Sequence, residues 1–156
     1  MKTKPSSLEL KKIGLSCLNV SLRRTARLVT SYYDFILKPS GLRITQFSIL
    51  VGIGHEEECS ITDLSRLTDI DRTTLQRSLE ILKRDNLIRI EKKEAGNIRN
   101  LSLTKKGESK LADAILLWEE AQSKLTKSLG KSKFQETLGI LSEVRKIPVL
   151  ETQNQV

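Results

Sequence analysis

A chain of 156 residues with 38 % hydrophobic and 29 % charged residues is long enough to bury a real core and too apolar to be wholly disordered. Lys and Arg number 27 against 19 Asp and Glu, a net charge of +8; this favours anionic partners, nucleic acid ahead of an acidic membrane, with plain solubility as the alternative. No segment resembles a signal peptide or approaches the ~20 apolar residues of a bilayer span. Cys17 and Cys59 make neither a zinc spacing nor a disulfide framework, so the expectation is a reduced, cytoplasmic protein without a membrane partner.

After a polar start, residues 8–37 carry one apolar stripe, with Leu15, Leu18, Leu22, Ala26, Val29, Tyr33 and Ile36 at three- and four-residue intervals. The pattern predicts a single helix of roughly 30 residues, against an average nearer a dozen. A helix so long needs a packing partner outside its own lobe. Pro39 and Gly41 in "KPSG" end it. The next helix lies in "TQFSILVGIGHEE", with Thr45 as N-cap, Phe47, Ile49, Leu50 and Ile53 buried, and Gly54 closing it. Glu56, Glu57 and Glu58 then form a solvated loop.

Two helix starts follow in close succession. Ser60 with Asp63 is a Ser-x-x-acid start backed by Leu64 and Leu67. Asp71 is a second N-cap, and Ile70 and Leu75 have the spacing of a hydrophobic staple around it. Only "TDI" separates the two helices, so they must cross steeply, as in a helix-turn-helix. In the second, Leu75, Leu79 and Leu82 share one side. At about 100° per residue, Thr73, Gln76, Arg77, Glu80 and Arg84 fall on the other.

"LIRIEKKEAGNIRNLSLT" then alternates, with Ile88 and Ile90 on the outbound strand, Leu101 and Leu103 on the return, and a turn at Glu94, Ala95, Gly96 and Asn97. A two-stranded hairpin is too small to stand alone and must lean on the helices as a wing. Thr104 caps a further long helix striped by Leu111, Ala114, Trp118, Ala121, Leu125 and Leu129, which Gly130 ends. A last helix holds Phe134, Leu138, Leu141 and Val144 before Pro148, followed by a frayed tail. The fold class expected is mainly α with a small β-hairpin wing.

With this order of elements, "SLRRTARLVTSYYDFILKPSGLRITQFSIL", "ITDLSRLTDIDRTTLQRSLEILKRDNLI" and "LSLTKKG" resemble the MarR family of bacterial winged-helix regulators, over roughly residues 15–130. The resemblance implies one MarR-like domain over residues 1–156. Residues 8–38 and 105–147 would be dimerisation helices, and residues 42–104 a winged helix-turn-helix lobe. It implies a homodimer that binds double-stranded DNA at a pseudo-palindromic operator, as a repressor. Many members of the family also answer a small-molecule effector or an oxidant through the cleft between dimerisation helices and DNA lobe.

The chain departs from the family pattern in two places. Where the family's wing carries an Asp-x-Arg signature, this chain has Ala95 and Asn97, with Arg99 retained. Where the peroxide-sensing branch has its reactive cysteine, this chain has Asn19, and Cys17 lies about 200° away around the helix. Peroxide sensing is therefore not carried over.

In the winged-helix reading, Arg72 and Arg77 meet guanine edges or phosphates, and Thr73, Thr74 and Gln76 meet bases or backbone. Lys92, Lys93 and Arg99 on the wing reach phosphate or the minor groove. Thr62 and Arg66 lie beside the phosphate backbone. Arg23, Arg24 and Arg27 either approach DNA or pair with acidic residues of a partner helix, such as Glu119 or Glu120. Cys17 is a candidate redox switch, set against the reading of a small buried hydrophobe; the acidic neighbours of Cys59 disfavour a thiolate there. His55 beside three glutamates could suggest a metal, but adjacent residues rarely converge on one ion. With no nucleophile-base pair, glycine-rich phosphate loop or paired catalytic carboxylates, the sequence predicts neither an enzyme nor a cofactor or metal. The rival readings are a thiol-based regulator using Cys17 and a protein-interaction module that has lost DNA binding.

Overall fold

A computed structural model describes residues 4–55, 59–92 and 99–147. The chain divides into two compact units, residues 1–118 and 119–156. The elements in order are α1 (Ser7–Ser16), α2 (Leu18–Leu37), a 3-10 turn at Lys38–Ser40, α3 (Ile44–His55), β1 (Cys59–Ser60), α4 (Ile61–Thr68), α5 (Arg72–Arg84), β2 (Ile88–Lys92), β3 (Arg99–Leu103), α6 (Lys105–Leu129) and α7 (Lys131–Arg145). None of the described helices is long and apolar enough to cross a membrane.

The predicted first helix is two helices. Cys17 takes an extended conformation, ψ 113°, between a capped α1, where Ser6 and Glu9 form a full capping box, and α2. Gly14 lowers helix propensity just before the break. The Ser16 hydroxyl donates to the Lys12 carbonyl at 2.8 Å, a back-bond that bends helices. The apolar stripe runs across the junction regardless, which is why periodicity alone missed it.

With Thr45 as N-cap the first helical residue would be Gln46; α3 starts two residues earlier, at Ile44. The Ile44 amide donates to Asp34 Oδ1, 2.7 Å away on α2, and the Gln46 side chain accepts from the Arg43 amide at 3.0 Å. A carboxylate ten residues upstream thus does what Thr45 was expected to do. Gly54 does not close the helix, which continues to His55.

The sheet has three strands in the order β1-β3-β2, all antiparallel, not the two expected. Its register pairs Ile88 with Leu103, Ile90 with Leu101 and Cys59 with Leu101. β1 is two residues long, too short to show alternation in sequence. Its pairing with β3 leaves Cys59 1 % exposed.

The core of the first unit gathers Ile49, Leu50 and Ile53 of α3, Leu64 of α4, Leu75, Leu79 and Leu82 of α5, and Leu87, Ile88 and Leu101 around the sheet. Leu67, expected behind α4 with Leu64, is 55 % exposed instead. In the second unit α7 begins after Gly130, whose φ of +82° suits a glycine. Glu56–58, Lys93, the wing turn from Glu94 to Asn97 and the tail after residue 147 fall outside the described residues.

Candidate nucleic-acid interface

α4 and α5 are separated by Asp69, Ile70 and Asp71. Asp69 sits at φ +52°, a left-handed conformation that Asp tolerates better than most residues and that turns the chain sharply. The Ser65 hydroxyl donates to the Ile70 carbonyl at 2.8 Å, and Ile70 packs against the core. The Asp71 carboxylate accepts from the Thr74 amide at 2.9 Å. Hydrogen bonding with the Thr74 side chain, and then with its amide, holds the carboxyl of Asp71 below its ordinary value, because both favour the ionised acceptor. The turn between α4 and α5 and the start of α5 are therefore held by short-range polar contacts together with the packing of Ile70.

With Leu75, Leu79 and Leu82 buried, Arg72, Thr73, Thr74, Gln76, Arg77 and Glu80 are all exposed. Among the described residues, no ion pair or side-chain hydrogen bond engages Arg77. Arg84, further along the same face, pairs with Asp85 at 3.3 Å. The free polar surface thus lies in the first turns of α5. On α4, Thr62 and Arg66 are exposed. Arg66 lies 3.8 Å from Asp63, and Thr62 accepts a hydrogen bond from Arg72 at 3.1 Å. Lys92 and Arg99 are register partners at the end of the hairpin. The structure thus brings Thr62, Arg66 and the α5 residues together on one helix pair, and Lys92 and Arg99 together on the wing.

The other candidates lie elsewhere. Cys17 is a half-buried free thiol at the α1–α2 junction. Arg23, Arg24 and Arg27 are exposed along one side of α2, where they line a cavity with Val20 and Ala26. Among the described residues, no three His, Cys, Asp or Glu side chains gather as a metal site.

Thr104 caps α6 as expected, accepting from the Gly107 amide at 3.0 Å. Sequence reasoning passed over two features. The first is the second role of Thr104, whose hydroxyl donates to the Asn86 carbonyl at 2.7 Å and so ties β3 and α6 to the end of α5. The second is an apolar cavity of about 630 Å³ lined by Phe47, Val51, His55, Leu67, Ile115 and Trp118. Phe47 and Trp118 stack there with ring centroids 6.2 Å apart.

A helix-turn-helix with a sheet-backed hairpin after its second helix defines a winged-helix protein. The MarR family model matches residues 40–96, the stretch from the end of the 3-10 turn past β2. The chain belongs to the MarR family of transcriptional regulators. It is similar to the HTH-type transcriptional regulator BilQ of Clostridioides difficile (strain CD3), 25 % identical over 135 residues that make 86 % of this chain and 89 % of BilQ. It also resembles the transcriptional regulator MosR of M. tuberculosis in complex with DNA, at 33 % identity and a TM-score of 0.69 over 85 % of this chain and 100 % of that one. BpsR of Bordetella bronchiseptica, whose DNA binding is regulated by 6-hydroxynicotinic acid, shares the fold at 20 % identity and a TM-score of 0.75, over 82 % and 98 % of the two chains.

Proposed function

We propose that the protein is a homodimeric, sequence-specific DNA-binding repressor that acts by occupying a pseudo-palindromic operator. The observation that carries this reading is the split in α5: three leucines face the core while Arg72, Thr73, Thr74, Gln76 and Arg77 stand exposed, with Arg77 free of any partner among the described residues. α5 enters the major groove, Thr62 and Arg66 flank the backbone, and the wing with Lys92, Lys93 and Arg99 adds phosphate contact. The DNA-bound relative MosR supports the same use of the fold.

A homodimer is supported by apolar side chains that the single chain leaves exposed: Leu8, Ile13 and Leu15 on α1, Phe35 on α2, and Leu138 and Ile140 on α7. Large exposed apolar patches on a soluble protein mark interaction surfaces. Two α5 helices then dock on half-sites about one turn of DNA apart. The cavity beside Trp118 suits a small apolar effector; a ligand preferring the wrong spacing of the two α5 helices releases the operator.

The test is selection of bound fragments from genomic DNA by the purified protein, with its mass measured in solution. A two-fold-symmetric motif, dimeric mass and binding that weakens steeply with salt are expected. Absent or salt-insensitive binding favours a protein-interaction module.

A further inference from the structure

Arg72 and Arg77 are both exposed cations at the start of α5, yet they are placed differently. About 140° of helical rotation separates them. Arg77 lies opposite the buried leucines, whereas Arg72 lies on the flank toward α4. There its Nη2 donates to Thr62 Oγ1 at 3.1 Å. The nearby carboxylates are engaged elsewhere: Asp71 caps the Thr74 amide at 2.9 Å, and Asp63 lies with Ser60 and Arg66. Among the described residues no carboxylate pairs with Arg72, so its charge is uncompensated.

The chemistry of the pair follows from its donors. Thr62 Oγ1 is used as an acceptor, and among the described residues its own O–H donates to no partner. The guanidinium keeps its other N–H groups, out of five. Two helices thus offer one hydroxyl donor and one planar cation side by side, held in place before any ligand arrives. A tetrahedral oxyanion accepts both, and the bond to Thr62 holds the guanidinium toward α4, to the side of the outward ridge that carries Arg77.

We propose that Thr62 and Arg72 form a clasp for one backbone phosphate of DNA, with Thr62 as the positioning residue for Arg72, and that sequence choice rests on the Thr73–Arg77 ridge instead. This rests on the DNA-binding reading above and assigns a division of labour within it.

The experiment measures binding of wild type and variants to a randomised duplex pool, with sequencing of the bound fraction. A salt series on one mixed-sequence duplex accompanies it. Arg72→Ala is expected to lower the slope of log affinity against log salt by about 1 and to leave the ranking of selected sequences unchanged. Thr62→Val should weaken binding, Thr62→Ser should restore it, and Thr62→Val should cost clearly less when added to Arg72→Ala than it costs in wild type, because only its own phosphate contact is then left to lose. Arg72→Lys keeps the charge without the planar fork, so it should retain the salt slope while depending less on Thr62. A changed base preference in Arg72→Ala with an unchanged slope makes Arg72 a base reader and overturns the clasp. Fully additive effects of Thr62→Val and Arg72→Ala overturn it as well. Wild type that binds neither pool nor duplex at low salt removes the DNA-binding reading itself, and the clasp with it.

Discussion

The hydroxyl of Thr104 donates to the carbonyl of Asn86 across 2.7 Å and accepts from the Gly107 amide at 3.0 Å. The Thr104 amide donates in turn to the Leu87 carbonyl at 3.0 Å. One buried threonine thus ties the end of α5, the last strand of the wing and the first turn of α6 into a joint. Asn86 makes it possible by adopting φ +58°, a left-handed conformation that asparagine tolerates.

The joint leaves no room at Gly107. A Cβ there would run into the Leu87 carbonyl, closer than any real side chain approaches, and the obstacle is backbone that cannot swing aside. Gly107→Ala is expected to destabilise the protein by about 3 kcal/mol, at the upper end of overpacking effects. Urea unfolding at neutral pH measures it. A midpoint equal to that of wild type would mean that α6 can slide away from Leu87 without loss.

Protonation should loosen the start of α5. The Asp71 carboxyl has a folded-state value lowered by its bonds to Thr74. Its contribution is therefore present above the unfolded value, about 4, and is lost as pH falls through the lower folded one. Asp71→Asn keeps an N-cap acceptor without the charge. Urea midpoints followed downward from pH 6 should fall less steeply for Asp71→Asn than for wild type. Parallel curves for the two proteins would show that other carboxylates dominate the acid limb.

Much of this was legible in the residues themselves. The α4–α5 pair could be located because Ser60 and Asp71 are strong caps and the leucines of α5 keep a strict helical period. The exposed set on α5 followed from those leucines by rotation alone. What could not be read depends on contacts distant in sequence. Asp34 caps a helix ten residues away, β1 exists only through its pairing with Leu101 and Asn100, and Cys17 breaks a helix whose apolar stripe continues past it. Leu67 has the helical spacing of a core residue, yet it borders a cavity, because spacing fixes a direction and not what fills the space there.

That cavity gives a separable test of effector binding. Leu67 is largely exposed on α4, so Leu67→Asp should change stability by no more than about 0.5 kcal/mol. It places a charge against Phe47 and Trp118, where an apolar ligand would have to leave it unpaired. The uncharged dye N-phenylnaphthylamine should brighten on mixing with wild type and quench the emission of Trp118, the single tryptophan. Leu67→Asp should abolish both signals. Undiminished dye binding in the variant would place the dye on another apolar surface.

The last prediction separates the two sides of α5. Leu75 is 0 % exposed in the core, and Leu75→Ala removes buried methyl groups and leaves a void, costing about 2–5 kcal/mol of stability. Arg77 touches none of that core. Arg77→Ala should leave the unfolding midpoint within about 0.5 kcal/mol of wild type while weakening operator binding by about 1–3 kcal/mol at fixed salt, if it reads a base. Unfolding curves and a DNA titration on the same two variants check both halves. DNA affinity unchanged in Arg77→Ala would take Arg77 off the contact surface, and a large loss of stability there would mean the outward side of α5 is packed rather than free.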